Sequence, residues 1–264
     1  MKIGIFSDCH LGERKFRKTY NYQNAYELVN NEVFEEALSI LSEKDLDCCI
    51  IAGDLYDNPN PYVKTIMESQ KLIPFADKLK DKLYILGGNH DWSQTNEAIN
   101  CHTFDILKNN DINNKIEIIN RESKIFEFYD HDNNNCSKID FTFLPYKSLN
   151  QDNYKNIFKG TLKEKRENNI EKSLLIFHGS VDLMGDMTIN NQENNVFYLP
   201  KEIASNYDLA ISGHVHIPFL IKTETTSILT PGSLMPSNQG TNRDNRPSVY
   251  VYNTENGELI NYEL

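Results

Sequence analysis

The chain has 264 residues, with 38 acidic against 27 basic side chains and a formal net charge of −11. It can bury one substantial core, has no stretch long and apolar enough to span a bilayer, and is too acidic to coat nucleic acid nonspecifically. Five cysteines in scattered positions make no disulfide framework, which points to a reducing cytoplasm, and Met1 to Phe6 run straight into a strand, so no signal peptide is expected.

In chain order, the first half alternates. Lys2–Ser7 predicts a strand, and Asn24–Leu41 a helix with Val33, Phe34, Ala37, Leu38 and Leu41 on one face. Asp47–Ala52 is a second strand. Tyr62–Leu79 predicts a helix with Val63, Ile66, Met67 and Phe75 inward, where Pro74 can kink or split it. Leu83–Leu86 is a third strand and Thr95–Asn109 a short helix. Such alternation implies right-handed crossovers and a parallel sheet.

The second half changes character. Ile116–Ile119, Ile125–Phe128, Ile139–Leu144, Leu174–Phe177 and Leu209–Ser212 predict short strands, with a polar turn over Asp130 to Asn135. Leu149–Ile170, rich in Lys and Asn, reads as a surface helix. Phe219–Lys222, Ser227–Thr230, Ser248–Tyr252 and Leu259–Tyr262 predict antiparallel structure to the end. The order fits an α/β fold, a two-sheet β-sandwich core flanked by helices, as one domain over residues 1–264.

Five strand ends carry the chemistry. Asp8-Cys9-His10 follows the first strand, and Gly53-Asp54 the second, at the carboxyl end where open α/β sheets place ligands. Gly88-Asn89-His90-Asp91, His178-Gly179 and Gly213-His214-Val215-His216 follow three others. Any one alone can be a turn, a cap or a packed histidine. Two histidines two apart on an extended segment point to one side. Carboxylates, imidazoles and an amide oxygen suit manganese, iron, zinc or magnesium, and one metal could not use them all. Two metals roughly 3.5–4 Å apart, sharing a carboxylate, could; Asp54 is read as that bridge.

The ordered set D-x-H, G-D-x-x-D, G-N-H-D, H and G-H-x-H, spanning Asp8 to His216, resembles the calcineurin-like metallophosphoesterase superfamily. Phe6 to Gly12, Gly53-Asp54-Leu55-Tyr56-Asp57 and Pro231-Gly232-Ser233-Leu234 narrow the resemblance to SbcD-type DNA repair exonucleases, including small phage recombination nuclease subunits. The resemblance implies a four-layer α/β/β/α arrangement and two divalent ions, manganese first, with magnesium, iron or zinc as alternatives. It implies that Asp8, His10 and His216 hold one ion, that Asn89, His178 and His214 hold the other, and that Asp54 bridges them. His90 would contact the scissile phosphate and assist the leaving oxygen; Asp91 would orient His90 or cap a helix.

The family's partners are a DNA substrate, an SMC-like ATPase of SbcC type and a second copy of the subunit. This sequence ends at Leu264, soon after Gly-His-Val-His, so a full DNA-capping domain is not expected and the ATPase-docking segment is in doubt. The residues alone leave three functions open: a nuclease, a small-molecule phosphodiesterase or phosphatase (a cyclic nucleotide being one substrate), and a non-catalytic module, against which the intact ligands argue. Arg14, Lys15, Arg17 and Lys18 are a solvated loop or a phosphate contact, and so are Arg243 and Arg246. Tyr56 either packs or stacks on a base. Cys9 is read as a packed core residue and Trp92 as packing beneath the G-N-H-D loop.

Overall fold

The structure, a computed structural model, describes residues 1–13, 19–20, 23–92, 102–120, 124–132, 135–146, 172–182, 198–235 and 246–264. The basic run 14–18, the expected surface helix at 149–170 and Arg243 lie outside the described residues. The first half contributes strands β1 (Lys2–Phe6), β2 (Thr19–Tyr20), β3 (Gln23–Asn24), β4 (Cys48–Ile51), β5 (Leu83–Leu86) and β6 (Ile116–Ile119). Its helices are α1 (Ala25–Ser42), α2 (Val63–Ser69), α3 (Leu72–Ala76) and α4 (His102–Asn110). The second half contributes β7 (Lys124–Asp132), β8 (Asn135–Leu144), β9 (Lys172–His178), β10 (Ser180–Asp182), β11 (Tyr198–Pro200) and β12 (Leu209–Gly213). A short helix, Lys201–Ala204, precedes β12, and β13 (Phe219–Lys222), β14 (Ser227–Thr230), β15 (Ser248–Asn253) and β16 (Glu258–Glu263) complete the set.

Two six-stranded mixed sheets result, in the orders β16-β15-β1-β4-β5-β6 and β13-β14-β12-β9-β8-β7. β1, β4, β5 and β6 run parallel, as do β8, β9, β12 and β14. Strands covered on both faces need apolar side chains at every position, which is why Cys48–Ile51 and Leu83–Leu86 are continuous apolar runs, buried throughout. Alternate residues serve opposite faces. Ile3, Ile5, Ile50 and Tyr84 meet Phe141, Phe143, Leu174 and Ile176 of the other sheet. Phe6, Cys49, Ile51 and Ile85 meet Phe34, Ala37, Leu38 and Leu41 of α1. The second sheet's outer face packs Leu175, Phe177 and Ala210 around Ala204 of the short helix. The layered α/β sandwich expected from the pattern is the one observed.

Three local expectations are corrected. The 62–79 segment is split into two helices, as Pro74 allows, and Phe75 is inward as expected, but Val63 and Met67 are exposed (73 % and 67 %) and Thr65 and Ser69 buried instead. Pro74 has no N–H to donate and therefore sits in the first turn of α3, where none is needed. That ends α2 early and turns its small polar face inward, where Ser69 accepts a hydrogen bond from the Tyr56 hydroxyl at 2.8 Å. The polar stretch at 130–135 is mostly ladder, with Asp132 paired to Asn135, because a tight hairpin carries its strands up to the connection. Finally, the expected antiparallel pairs form, β13 with β14 and β15 with β16, but β14 also runs parallel to β12, and β15 joins the first sheet beside β1. Apolar patterning alone does not distinguish these pairings.

Aromatic rings from both sheets meet in the core between them. Tyr84 stacks on Phe143 at 5.4 Å between centroids, with Phe126 edge-on to Tyr84 at 5.1 Å. Phe143→Ala is expected to lower stability by about 3–5 kcal/mol in urea unfolding with EDTA present, whereas Met67→Ser should change it by about 0.5 kcal/mol or less.

Candidate metal centre

Each expected ligand sits where a strand runs out. Asp8 and His10 follow β1, Asp54 follows β4, Asn89 and His90 follow β5, His178 ends β9, and His214 and His216 follow β12. Parallel pairing within each sheet brings these ends to one rim. The chain turns abruptly there: Asp8, His10, Asp54 and His214 have φ of 51°, 44°, 50° and 83°. Such left-handed backbone costs non-glycine residues roughly 1–3 kcal/mol each and persists only where the surroundings hold it.

The sheets touch at this rim. His178 Nδ1 lies 2.9 Å from the Ala52 carbonyl; a carbonyl only accepts, so Nδ1 carries a proton and Nε2 faces the cluster. Two glycines permit the approach. A Cβ on Gly53, whose φ is +107°, would stand 2.0 Å from His178 Nδ1, and one on Gly213 would stand 2.0 Å from the Ala52 oxygen.

Two donor groups form. In one, His10 Nε2 is 3.0 Å from His216 Nε2, and Asp8 Oδ1 is 3.9 and 3.6 Å from those two nitrogens. In the other, Asn89 Oδ1 is 2.9 Å from both His178 Nε2 and His214 Nδ1. A single oxygen of Asp54, Oδ2, lies 3.2 Å from His178 Nε2 and 3.8 Å from His10 Nε2, so it faces both groups. Its other oxygen accepts the His90 N–H at 2.8 Å. Asp8 accepts the His214 N–H on both oxygens, at 3.1 and 3.0 Å, and a hydrogen bond from the Ser7 hydroxyl. Ligand atoms of Asp8, His10 and His216, and of Asp54, His178 and His214, lie within 4.8 Å of one another in each set. Imidazole nitrogens and acidic oxygens converging at the sheets' rim are the hard-to-borderline donors that a divalent cation requires. The residues present fit two such ions.

The model of the calcineurin-like phosphoesterase family matches residues 1–218. The chain belongs to that family. It is accordingly a metal-dependent phosphoesterase, in a family whose chemistry uses divalent ions. Two curated relatives are named as the D component of the nuclease SbcCD. That of Staphylococcus saprophyticus is 25% identical over 260 residues, 89% of this chain and 61% of the relative. That of Staphylococcus epidermidis is 24% identical over 281 residues, 99% of this chain and 68% of the relative. The chain therefore spans only about two thirds of their length. Among solved structures, TT1561 of Thermus thermophilus is similar with a TM-score of 0.55 at 9% identity, covering 99% of this chain and 98% of that one. A dimetal phosphatase from Danio rerio gives 0.52 at 11% identity, covering 95% and 91%. These two show the phosphoesterase fold.

Around these donors, two further carboxylates take distinct places. The structure turns the Asp91 carboxylate toward the backbone. Its oxygens accept the backbone N–H of Tyr56 at 3.0 Å and of Gly88 at 2.9 Å, so it staples the G-N-H-D loop to the G-D-x-x-D loop. Burial, reinforced by the nearby Asp54 charge, pushes its carboxyl up to about 7. The His90 ring instead donates from Nδ1 to the Asp57 carbonyl at 2.8 Å. The Asp57 carboxylate stands 3.8 Å from that nitrogen and 3.5 Å from His10 Nδ1. Sequence reasoning assigns Asp57 no role; its place as the second carboxylate of G-D-x-x-D is the signal that points to it. Tyr56 is fully buried against Phe104, which excludes base stacking. Cys9 lies in the core beside α1, and Trp92 is buried, both as expected. Arg246 pairs with Glu263 at 3.6 Å.

The site's charges are interlocked. Burial would depress His10 and His178, but Asp57 and Asp54 beside His10, and Asp54 beside His178, outweigh it and raise both to about 9. Burial raises Asp8, and the Asp54 charge adds to this; Asp54 itself is held low, because His178 and His10 overcome its own burial. Burial and the neighbouring His178 lower His214 to about 4, leaving it neutral. A cation entering near pH 7 must displace the protons on His10 and His178. Mn2+ affinity is therefore expected to climb from pH 6.5 to about 9 and flatten above, with proton release measured by titration calorimetry in buffers of different ionisation enthalpy. A pH-independent affinity would contradict this charge assignment.

Proposed function

We propose that this phosphoesterase is a dinuclear-metal-dependent phosphodiester hydrolase acting on DNA, a nuclease of SbcD type in recombination or repair, built as one domain. The observation that carries the reading is the single Asp54 oxygen facing both histidine groups. Asp8, His10 and His216 would hold one ion, Asn89, His178 and His214 the other, and Asp54 both, with manganese the first choice. When bound, such a pair supplies positive charge against the phosphate and acidifies a water molecule.

The chain's own groups do the rest. His90 is exposed and anchored through Nδ1 on the Asp57 carbonyl, which leaves Nε2 for the substrate. From there it can stabilise charge on the leaving oxygen and donate a proton to it. Asp91 keeps the His90 loop in register with Tyr56. The DNA half of the reading is supported by the nuclease name of the two curated relatives. By the same resemblance, an SMC-like ATPase and a second copy of this chain are the proposed partners, and the cytoplasm the proposed location. Among the described residues no helix is long and apolar enough to cross a membrane.

The test is a manganese-supplemented assay on end-labelled duplex DNA, single-stranded DNA and a cyclic nucleotide. DNA should be cleaved, and Asp54→Ala should abolish cleavage. His90→Ala should keep its Mn2+ affinity and lose about 10²–10⁴-fold in rate. Hydrolysis of the cyclic nucleotide alone would refute the DNA substrate, and near-normal turnover by His90→Ala would refute the role of His90.

A further inference from the structure

We propose that Ser233 and Asn30 are positioning residues for the first metal group, clamping the Asp8-Cys9-His10 segment at its two ends. The inference rests on the reading of Asp8, His10 and His216 as ligands. It concerns what holds them in place.

The segment needs holding, because Asp8 and His10 both carry left-handed backbone, which relaxes unless neighbours fix it. The Ser233 hydroxyl donates to the Asp8 carbonyl at 2.8 Å, across 225 positions of chain. The Leu234 N–H reaches the same oxygen at 3.3 Å, and the Ser233 N–H donates to the His216 carbonyl at 3.1 Å. One residue therefore ties together the backbones of two ligands whose side chains lie 3.6 Å apart. The hydroxyl is itself oriented, since it accepts the Met235 N–H at 3.0 Å. Ser233 belongs to the Pro231-Gly232-Ser233-Leu234 run, which the catalytic roles leave unused.

Asn30 acts from α1. Its Nδ2 donates to the His10 carbonyl at 2.8 Å, beside the Glu13 N–H at 3.1 Å. The side chain is fully buried, yet its Oδ1 has no hydrogen-bond partner among the described residues. A buried acceptor left unsatisfied costs about 1–3 kcal/mol, so simple packing would be better served by leucine. What asparagine adds is the bond to His10.

Groups that orient metal ligands typically change metal affinity about 10–100-fold when removed. The experiment titrates EDTA-stripped full chain with MnCl2 by calorimetry and follows urea unfolding in EDTA. Ser233→Ala should bind one equivalent as the wild type does and the other about 10–100-fold more weakly, with Ser233→Thr restoring both. Asn30→Leu should weaken the same equivalent without a lower unfolding midpoint, and it carries the test if Ser233→Ala fails to fold. Wild-type affinity for both equivalents in the folded variants, whatever their midpoints, overturns the clamp. A wild-type chain that takes up no Mn2+ overturns the metal reading itself, and the clamp with it.

Discussion

The centre depends on one close approach, that of the two sheets at their carboxyl rims. There the His178 ring of the second sheet donates to the Ala52 carbonyl of the first. This bond sets the distance between the sheets at the point where it matters, and it fixes which ring nitrogen faces the ligand cluster. Gly53 and Gly213 are the residues that allow it, because side chains there would occupy the same space as His178 and Ala52. The broad apolar interface between the sheets, from Ile3 to Phe143, provides the cohesion. It does not by itself specify where two histidine groups meet one aspartate.

Electrostatics completes the arrangement. Asp8 and Asp54 are both buried and close to each other, a pairing that disfavours two negative charges unless cations compensate them. The same carboxylates raise the pKa of His10 and His178, which favours compensating positive charge on those rings. The same geometry that makes these imidazoles basic makes the site ready to exchange protons for divalent ions. Local backbone strain at Asp8, His10, Asp54 and His214 belongs to the same design. Sharp turns at strand ends are what aim short side chains back at one another, and carbonyl and carboxylate contacts from elsewhere in the chain hold the turns.

Asp57 and Asp91 show how two carboxylates in adjacent motifs divide the work. The more exposed Asp57 lies between the His10 and His90 rings. The buried Asp91 spends both oxygens on backbone N–H groups and joins two loops. A carboxylate next to a histidine in sequence is not thereby its partner in space, because the tight turn sends neighbouring side chains in different directions.

Much of this molecule was decided by its sequence alone. Short apolar runs ending in Gly-Asp, Asn-His and Gly-His-Val-His mark both the buried strands and the donor-bearing side chains at their ends, since tight turns and metal sites favour the same residue types. That is why Asp8, His10, Asp54, Asn89, His178, His214 and His216 stand out in the sequence as candidates, and the structure brings their donor atoms together at one rim. Only the tertiary structure decided the pairings that depend on distance: Asp57 rather than Asp91 beside His90, Thr65 and Ser69 rather than Val63 and Met67 facing inward, and Ser233 beneath Asp8. Periodicity records which positions are apolar. It does not record which hydroxyl, across 225 positions of chain, reaches which carbonyl, because that is set by how two sheets pack and not by any local preference.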